Sequence, residues 1–231
     1  MKVEIWSDVV CPWCYIGKRR LEAALERFEH RAEVEVIWRS FELDPTAPAE
    51  LAQPTTDRLA ERYGVSREQA LAMQRRVADN AAAEGIDMRV EDARSCNTFD
   101  AHRVLHLARE RGVQSAVKER LLAAHFNEGE LLSDHGTLVR LAAEAGLAKE
   151  DVADVLAGDD HAEAVRQDHA TARSLGATGV PFFVLDRAFG VSGAQPSEVL
   201  LDALQRAWSA GNPLQVIGGG DGACADGSCE L

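Results

Sequence analysis

A chain of 231 residues with 46% hydrophobic content is long enough to bury a sizeable core, as one domain or as one domain carrying a large insertion. Its formal charge of −13, from 38 acidic and 25 basic residues, repels phosphate backbones and anionic membranes, so neither nucleic acid nor membrane is expected as a partner. No apolar run approaches the roughly 20 residues that span a bilayer. The start, Met1-Lys2-Val3-Glu4-Ile5-Trp6-Ser7-Asp8, puts acids where a secretory signal needs an unbroken apolar stretch. The expected location is therefore cytoplasmic. In that reducing compartment the five cysteines point to catalysis or metal rather than to a structural disulfide framework.

The first element is a short strand over residues 2 to 7, followed by a brief loop and Cys11-Pro12-Trp13-Cys14, a CPWC pair. Apolar or small residues at Leu21, Ala24, Leu25 and Phe28 predict a helix over residues 12 to 29. With Cys11 at its N-cap, Pro12 takes the first helical position, where a missing N–H costs nothing. The free N–H groups of the first turn and the positive end of the helix dipole then favour a thiolate. This predicts an exposed, low-pKa nucleophile at Cys11 and a resolving thiol at Cys14. A Cys-x-x-Cys is also half of a zinc site, and that alternative stays open.

Val34-Glu35-Val36-Ile37-Trp38-Arg39-Ser40-Phe41 reads as a second strand, which closes a right-handed βαβ unit with the first. Glu42 to Pro54 holds three prolines and no periodicity and reads as a loop. From there to about Leu175 the pattern is helical and rich in alanine. Ser66 and Gln69 form a capping box before a long helix reaching about Ala83. Asn97 and Asp100 open another that ends near Gly112, and further helices fit residues 113–127, 135–145, 149–157 and 161–175. Strand patterns return at Pro181 to Leu185 and Ala188 to Val191, with Asp186-Arg187 as a hairpin turn. A last helix runs from Pro196 to Trp208. Gly211 to Leu231 is glycine-rich, has few large apolar residues, and carries Cys224 and Cys229 in a CX4C arrangement. On pattern alone this is an α/β chain with a helical insertion.

The run from Ser7 to Lys18 resembles the start of a DsbA-family thioredoxin-fold protein, closest to the cytoplasmic FrnE-like branch with its CPWC pair. Three later stretches resemble that branch in the same order: Asn97 to Arg103, Phe126-Asn127-Glu128-Gly129, and Gly179-Val180-Pro181-Phe182-Phe183 with Ser192-Gly193-Ala194-Gln195-Pro196. The resemblance implies a DsbA-like thioredoxin-like fold, a mixed β-sheet flanked by helices with a large all-helical insertion domain. Residues 1–54 and 177–210 would form the thioredoxin-like domain, 55–176 the insertion and 211–231 a flexible tail. It also implies a cis Val180–Pro181 bond facing the redox pair, so that Pro12, Trp13, Val180 and Pro181 would bind substrate.

The function implied is a thiol–disulfide oxidoreductase or protein disulfide isomerase with Cys11 and Cys14 as its catalytic pair. Its partners would be disulfide-containing or unfolded proteins and an electron donor or small thiol. No cofactor is expected, because the cysteines carry the electrons, and no metal is assigned. The dipeptide between the cysteines lacks the histidine of the most oxidising relatives, which predicts a less oxidising couple. Some FrnE-like proteins also carry a CX4C pair near the C-terminus, so Cys224 and Cys229 are a possible second redox pair exchanging with the first. Two alternatives remain: a glutathione-dependent isomerase or kappa-type glutathione transferase, and a zinc-binding protein with Cys11, Cys14, Cys224 and Cys229 as ligands.

Other side chains have weaker readings. Asp8 either accepts a proton from Cys14 or caps the loop, the second being the commoner habit of aspartate. His102 and His106 share a helix face and suit a two-histidine metal site, but histidines satisfied by hydrogen bonds are the commoner finding. Phe99, Ala101, His102 and Phe126 are candidate walls of the substrate cleft. Cys96 reads as a small buried hydrophobe.

Overall fold

In the computed structural model the described residues are 1–50 and 53–212. Strand β1 (Lys2–Ser7) lies inside a four-stranded sheet of order β2-β1-β3-β4, with β2 at Glu35–Ser40, β3 at Phe182–Leu185 and β4 at Phe189–Ser192. β1 runs parallel to β2, pairing Val3 with Val36 and Ile5 with Trp38, and antiparallel to β3, pairing Ile5 with Phe183. A strand covered on both faces reads as nearly continuous apolar residues, and Val3, Ile5 and Trp6 are all buried. Val3 and Ile5 face helix α1 (Pro12–Glu26) and helix α9 (Ser197–Gly211), through Leu21, Ala24, Leu200 and Leu204. Trp6 faces the other way, onto Ala172 of helix α8 (Ala162–Ser174), and its Nε1 donates to the Asp168 carbonyl at 2.8 Å. The β3–β4 hairpin turns through Asp186, Arg187 and Ala188: the Leu185 carbonyl accepts from the Ala188 N–H at 3.0 Å, and Asp186 and Arg187 both take positive φ (46° and 56°).

Between β2 and β3 the chain forms helices α2 (Thr55–Tyr63), α3 (Arg67–Ala83), α4 (Phe99–Glu110), α5 (Gln114–Asn127), α6 (His135–Glu144), α7 (Lys149–Ala157) and then α8. Val104, Leu121, Leu138, Leu141 and Val152 make a second core among these helices. The capping box is present: Ser66 accepts from the Gln69 N–H at 3.1 Å, and the Gln69 side chain accepts from the Ser66 N–H at 2.8 Å. Element boundaries shift by two or three residues from the sequence expectation. α1 stops at Glu26 and a short 3₁₀ turn follows at Arg31–Glu33. α4 begins at Phe99, because Asn97 spends its Oδ1 on the Phe99 N–H at 2.9 Å and so forms a turn. α9 continues past Trp208 to Gly211. Cys224 and Cys229 lie outside the described residues.

Candidate active site

The loop after β1 delivers Cys11 to the N-cap of α1 in extended backbone geometry, and Pro12 is the first helical residue. The Cys11 carbonyl accepts from the Cys14 N–H at 3.0 Å and from the Tyr15 N–H at 3.4 Å. Both thiols are free. The Val180–Pro181 peptide is cis, as the resemblance implies, and the Cys11 thiol donates to the Val180 carbonyl at 3.7 Å.

The expectation of an exposed, acidic Cys11 is not met. Cys11 is only 4% exposed and Cys14 1%. At the N-cap the Cys11 side chain makes no capping hydrogen bond. A hydrogen bond with Cys14, burial, and the charges of Cys14 and Asp8 push the Cys11 thiol well up, against a smaller lowering by the Cys14 N–H. Cys14 goes the other way. Burial opposes its ionisation, but the Cys11 thiol, the Lys118 ammonium and the Ser7 hydroxyl more than offset it and hold its pKa down. The two sulfurs thus titrate as a pair that shares one proton, and Lys118 favours charge on the inner one. The helix terminus alone does not decide the matter because Cys11 faces an electron-rich carbonyl, whereas Cys14 faces a cation.

That cation is the residue the sequence reading missed. Lys118 of α5 is 1% exposed, its Nζ lies 3.4 Å from the Ser7 carbonyl and 5.7 Å from the Trp38 ring centre, and burial pulls its pKa down to about 8. Among the described residues the buried Ser7 hydroxyl has no hydrogen-bond partner, which leaves it available to a Cys14 thiolate. Asp8 caps the loop, accepting from the Leu43 N–H at 2.8 Å, and its other oxygen meets His102 Nε2 at 3.3 Å. Its carboxyl is fully enclosed, and His102 and Leu43 outweigh burial to hold it below the usual range.

A groove of about 360 Å³ opens beside Cys11. Pro12, Trp13 and Val180 line it, with Trp13 39% exposed at its rim. Pro181 does not line it. It is buried against α1 at Gly17, where an added Cβ would come within 2.9 Å of the proline ring. Arg58, Arg62 and Tyr63 of α2, Gln74 and Val77 of α3, and His125 and Phe126 of α5 are among its walls, and Leu43, Leu59, Met73, Val90 and Ala93 add apolar surface. Of the four cleft candidates only Phe126 is there. Ala101 and His102 point into protein, and Phe99 lies under the Arg166 guanidinium. His106 is also hydrogen-bonded, to Ser40 Oγ at 3.1 Å, and sits 3.1 Å from Asp168. Cys96 is buried, which pushes its thiol up to about 11. Among the described residues no three His, Cys, Asp or Glu side chains gather as a metal site. The four-sulfur zinc set includes Cys224 and Cys229, which lie outside those residues.

The family model of the DSBA-like thioredoxin domain matches residues 2–205. A probable DsbA oxidoreductase from Streptomyces coelicolor is 48% identical, with a TM-score of 0.88 over 100% of this chain and 99% of that one. The cytosolic disulfide reductase DsbM from Pseudomonas aeruginosa is 21% identical, with a TM-score of 0.59 over 91% of this chain and 100% of that one, a likeness of fold. The uncharacterized protein YwbO of Bacillus subtilis is 28% identical over 146 residues, which is 63% of this chain and 66% of that protein, just under two thirds of its length. No helix among the described residues is long and apolar enough to cross a membrane. The architecture is that of a DsbA-like thiol–disulfide oxidoreductase, and the chain belongs to the DSBA-like thioredoxin domain family.

Proposed function

We propose that this protein is a cytoplasmic oxidoreductase or isomerase of protein disulfides, with Cys11 as nucleophile and Cys14 as resolving thiol. The observation that carries the reading is the meeting of the Cys11 sulfur with the Val180 carbonyl at 3.7 Å, at the edge of the groove that Trp13 and Pro12 also line. A substrate disulfide entering there meets Cys11 first. Cys11 attacks one substrate sulfur and passes its proton to the Cys14 thiolate. A Cys11–substrate disulfide forms, and the other substrate sulfur leaves as a thiolate. Loss of a proton from Cys14, favoured by Lys118, lets it attack Cys11; the substrate departs as a thiol and the enzyme is left with a Cys11–Cys14 disulfide. Two thiols, from one dithiol or from two small-thiol molecules, reverse these steps: the first opens the Cys11–Cys14 disulfide as a mixed disulfide on Cys11, and the second releases it as a disulfide and resets the pair. A structure of DsbM with GSH supports a small thiol as that donor. The groove also suits an extended protein substrate alongside Val180.

Trapping tests this assignment. Cys14→Ser is expected to accumulate a mixed disulfide between Cys11 and a reducible protein such as insulin, and Cys11→Ser to form none and to lose insulin reduction. A mixed disulfide on Cys14 in the Cys11→Ser protein would reverse the roles. Glutathione-dependent turnover of a small electrophile without insulin reduction would favour the transferase reading, and stoichiometric zinc retained through chelation the metal reading. The pair Cys224 and Cys229 is proposed as a second couple that exchanges with the first. Truncation after Gly220 should then slow redox recycling, and unchanged recycling removes that role.

A further inference from the structure

The groove beside Cys11 carries chemistry that disulfide exchange alone does not need. Arg58 and Arg62 lie one turn apart on α2 and both line it. Neither has an ion-pair partner among the described residues. Arg58 gives one hydrogen bond, to Ser95 Oγ at 2.7 Å. Burial first and then the neighbouring Arg62 charge hold the Arg58 pKa down, partly countered by the charge of Asp44. Two more polar atoms in the same wall are orphaned: Gln74 Nε2 and His125 Nδ1, on side chains 5% and 2% exposed. Gln74 Oε1 is already taken by the Thr56 hydroxyl at 2.8 Å, so its amide N–H groups are what it presents. Guanidinium and amide donors seek acceptors, and a carboxylate is the strongest available on a peptide. Along the Val180 edge, the N–H groups of Thr178, Gly179 and Val180 have no partner among the described residues, which suits an extended main chain rather than a compact small acid.

We propose that this groove selects acidic peptide segments: a cystine-bearing strand lies along residues 178–180, and an Asp or Glu side chain near its cysteine is held by Arg58 and Arg62, with the Gln74 amide completing the site. The proposal rests on the disulfide-exchange reading for its substrate. It differs from that reading in naming what the substrate must carry. The rest of a chain of charge −13 repels such a segment at long range, so the selectivity resides in the arginine pair.

The test uses short disulfide-linked peptides in which Glu, Gln or Lys flanks the cysteine, and the same peptides with serine in place of cysteine for binding alone. The full-length protein should favour the Glu peptide over the Gln peptide by about fivefold in kcat/KM and in Kd, the scale of one or two partly exposed ion pairs. The preference should narrow with added salt. In Arg58→Gln/Arg62→Gln it should collapse to about unity, and in Arg62→Glu, a change at an exposed position that spares folding, it should turn toward the Lys peptide. Equal Kd values for the three serine peptides overturn the proposal, as does a preference that survives the double substitution. A small acidic thiol that competes where the Glu peptide does not bind overturns the peptide as occupant. Ordered Kd values without turnover keep the groove and remove the disulfide chemistry, so the two readings fail separately.

Discussion

Lys118 shows how one buried charge reaches the chemistry of a sulfur. A lysine that is 1% exposed would ordinarily shed its proton, and burial does bring its pKa down to about 8. Its positive charge persists near neutrality because the Cys14, Asp8 and Cys11 charges raise it in return. The same attraction lowers the Cys14 pKa. A stabilised thiolate favours the reduced pair, so Lys118 makes the disulfide more oxidising, opposite in sense to the missing histidine between the cysteines. Lys118→Met keeps an unbranched apolar side chain of similar length and removes the charge beside the Trp38 ring. It is expected to leave at least about tenfold less Cys14 thiolate at a given pH, since an opposite charge at close range shifts a pKa by about one or more. The reduction potential should fall by about 30 mV for each tenfold. An ultraviolet thiolate titration and equilibration against a thiol buffer measure the two effects, and an unmoved titration would separate Lys118 from the pair.

At the scale of elements, α1 is held at both ends of its active-site turn. Lys18, 4% exposed in its side chain, meets Glu22 and Glu119 at 2.5 Å each, and the Tyr15 hydroxyl donates to Glu119 at 2.8 Å, which ties α1 to α5. On its other flank Gly17 lets the helix lie directly on Pro181 and Phe183. Alanine is the better helix former by about 1 kcal/mol, yet a Cβ at Gly17 would sit 2.9 Å from Pro181 Cγ and 3.3 Å from Phe183 Cζ. Overpacking costs about 1–3 kcal/mol, so Gly17→Ala should lower the urea midpoint without changing its slope. It should also slow turnover by moving the Val180 carbonyl off Cys11, and a more stable, fully active variant would contradict this contact. The elements themselves were legible from the residues. The capping box at Ser66 and the Pro12 start of α1 are local chemistry, and the apolar spacing of Leu21, Ala24 and Phe28 names a helix face. What stayed hidden is what arrives from far along the chain. Lys118 is 104 positions beyond Cys14, and nothing in Val117-Lys118-Glu119 distinguishes a buried cation from a solvated one. Arg58 and Arg62 read as an ordinary charged helix face until α2 is set across from Val180. The error about Cys11 has the same origin: the helix terminus was visible, the Val180 carbonyl from 169 positions further along the chain was not.

For the molecule as a whole, α5 packs against α4, α6 and strand β2, and it carries Lys118 behind the thiols and His125 in the groove wall. His125 is 2% exposed, and burial brings its pKa from 6.5 down to about 4, only partly countered by Asp8 and the Glu130 backbone. Its ring is therefore neutral in the folded protein at pH values where the unfolded chain already binds a proton. Between those two values the unfolded state holds more protons, so folding stability must fall as pH drops from 6.5 toward 4. The full difference amounts to about 3 kcal/mol, a large share of the stability of an ordinary domain. Asp8 and Asp168 act in a separate window: their folded pKa values lie below 3.8, so their contribution holds above that value and is lost as pH falls through it. Urea unfolding of the native protein and His125→Leu from pH 7 to 4.5 separates the histidine from Glu4 and Glu119, whose lowered pKa values also cost stability near 4.5. The native protein should lose stability across that range, and His125→Leu, close in volume and without the ring nitrogens, should flatten the slope by about one proton. If the slope is the same in both proteins, His125 is not the group that titrates, and the groove wall is more hydrated than its burial indicates.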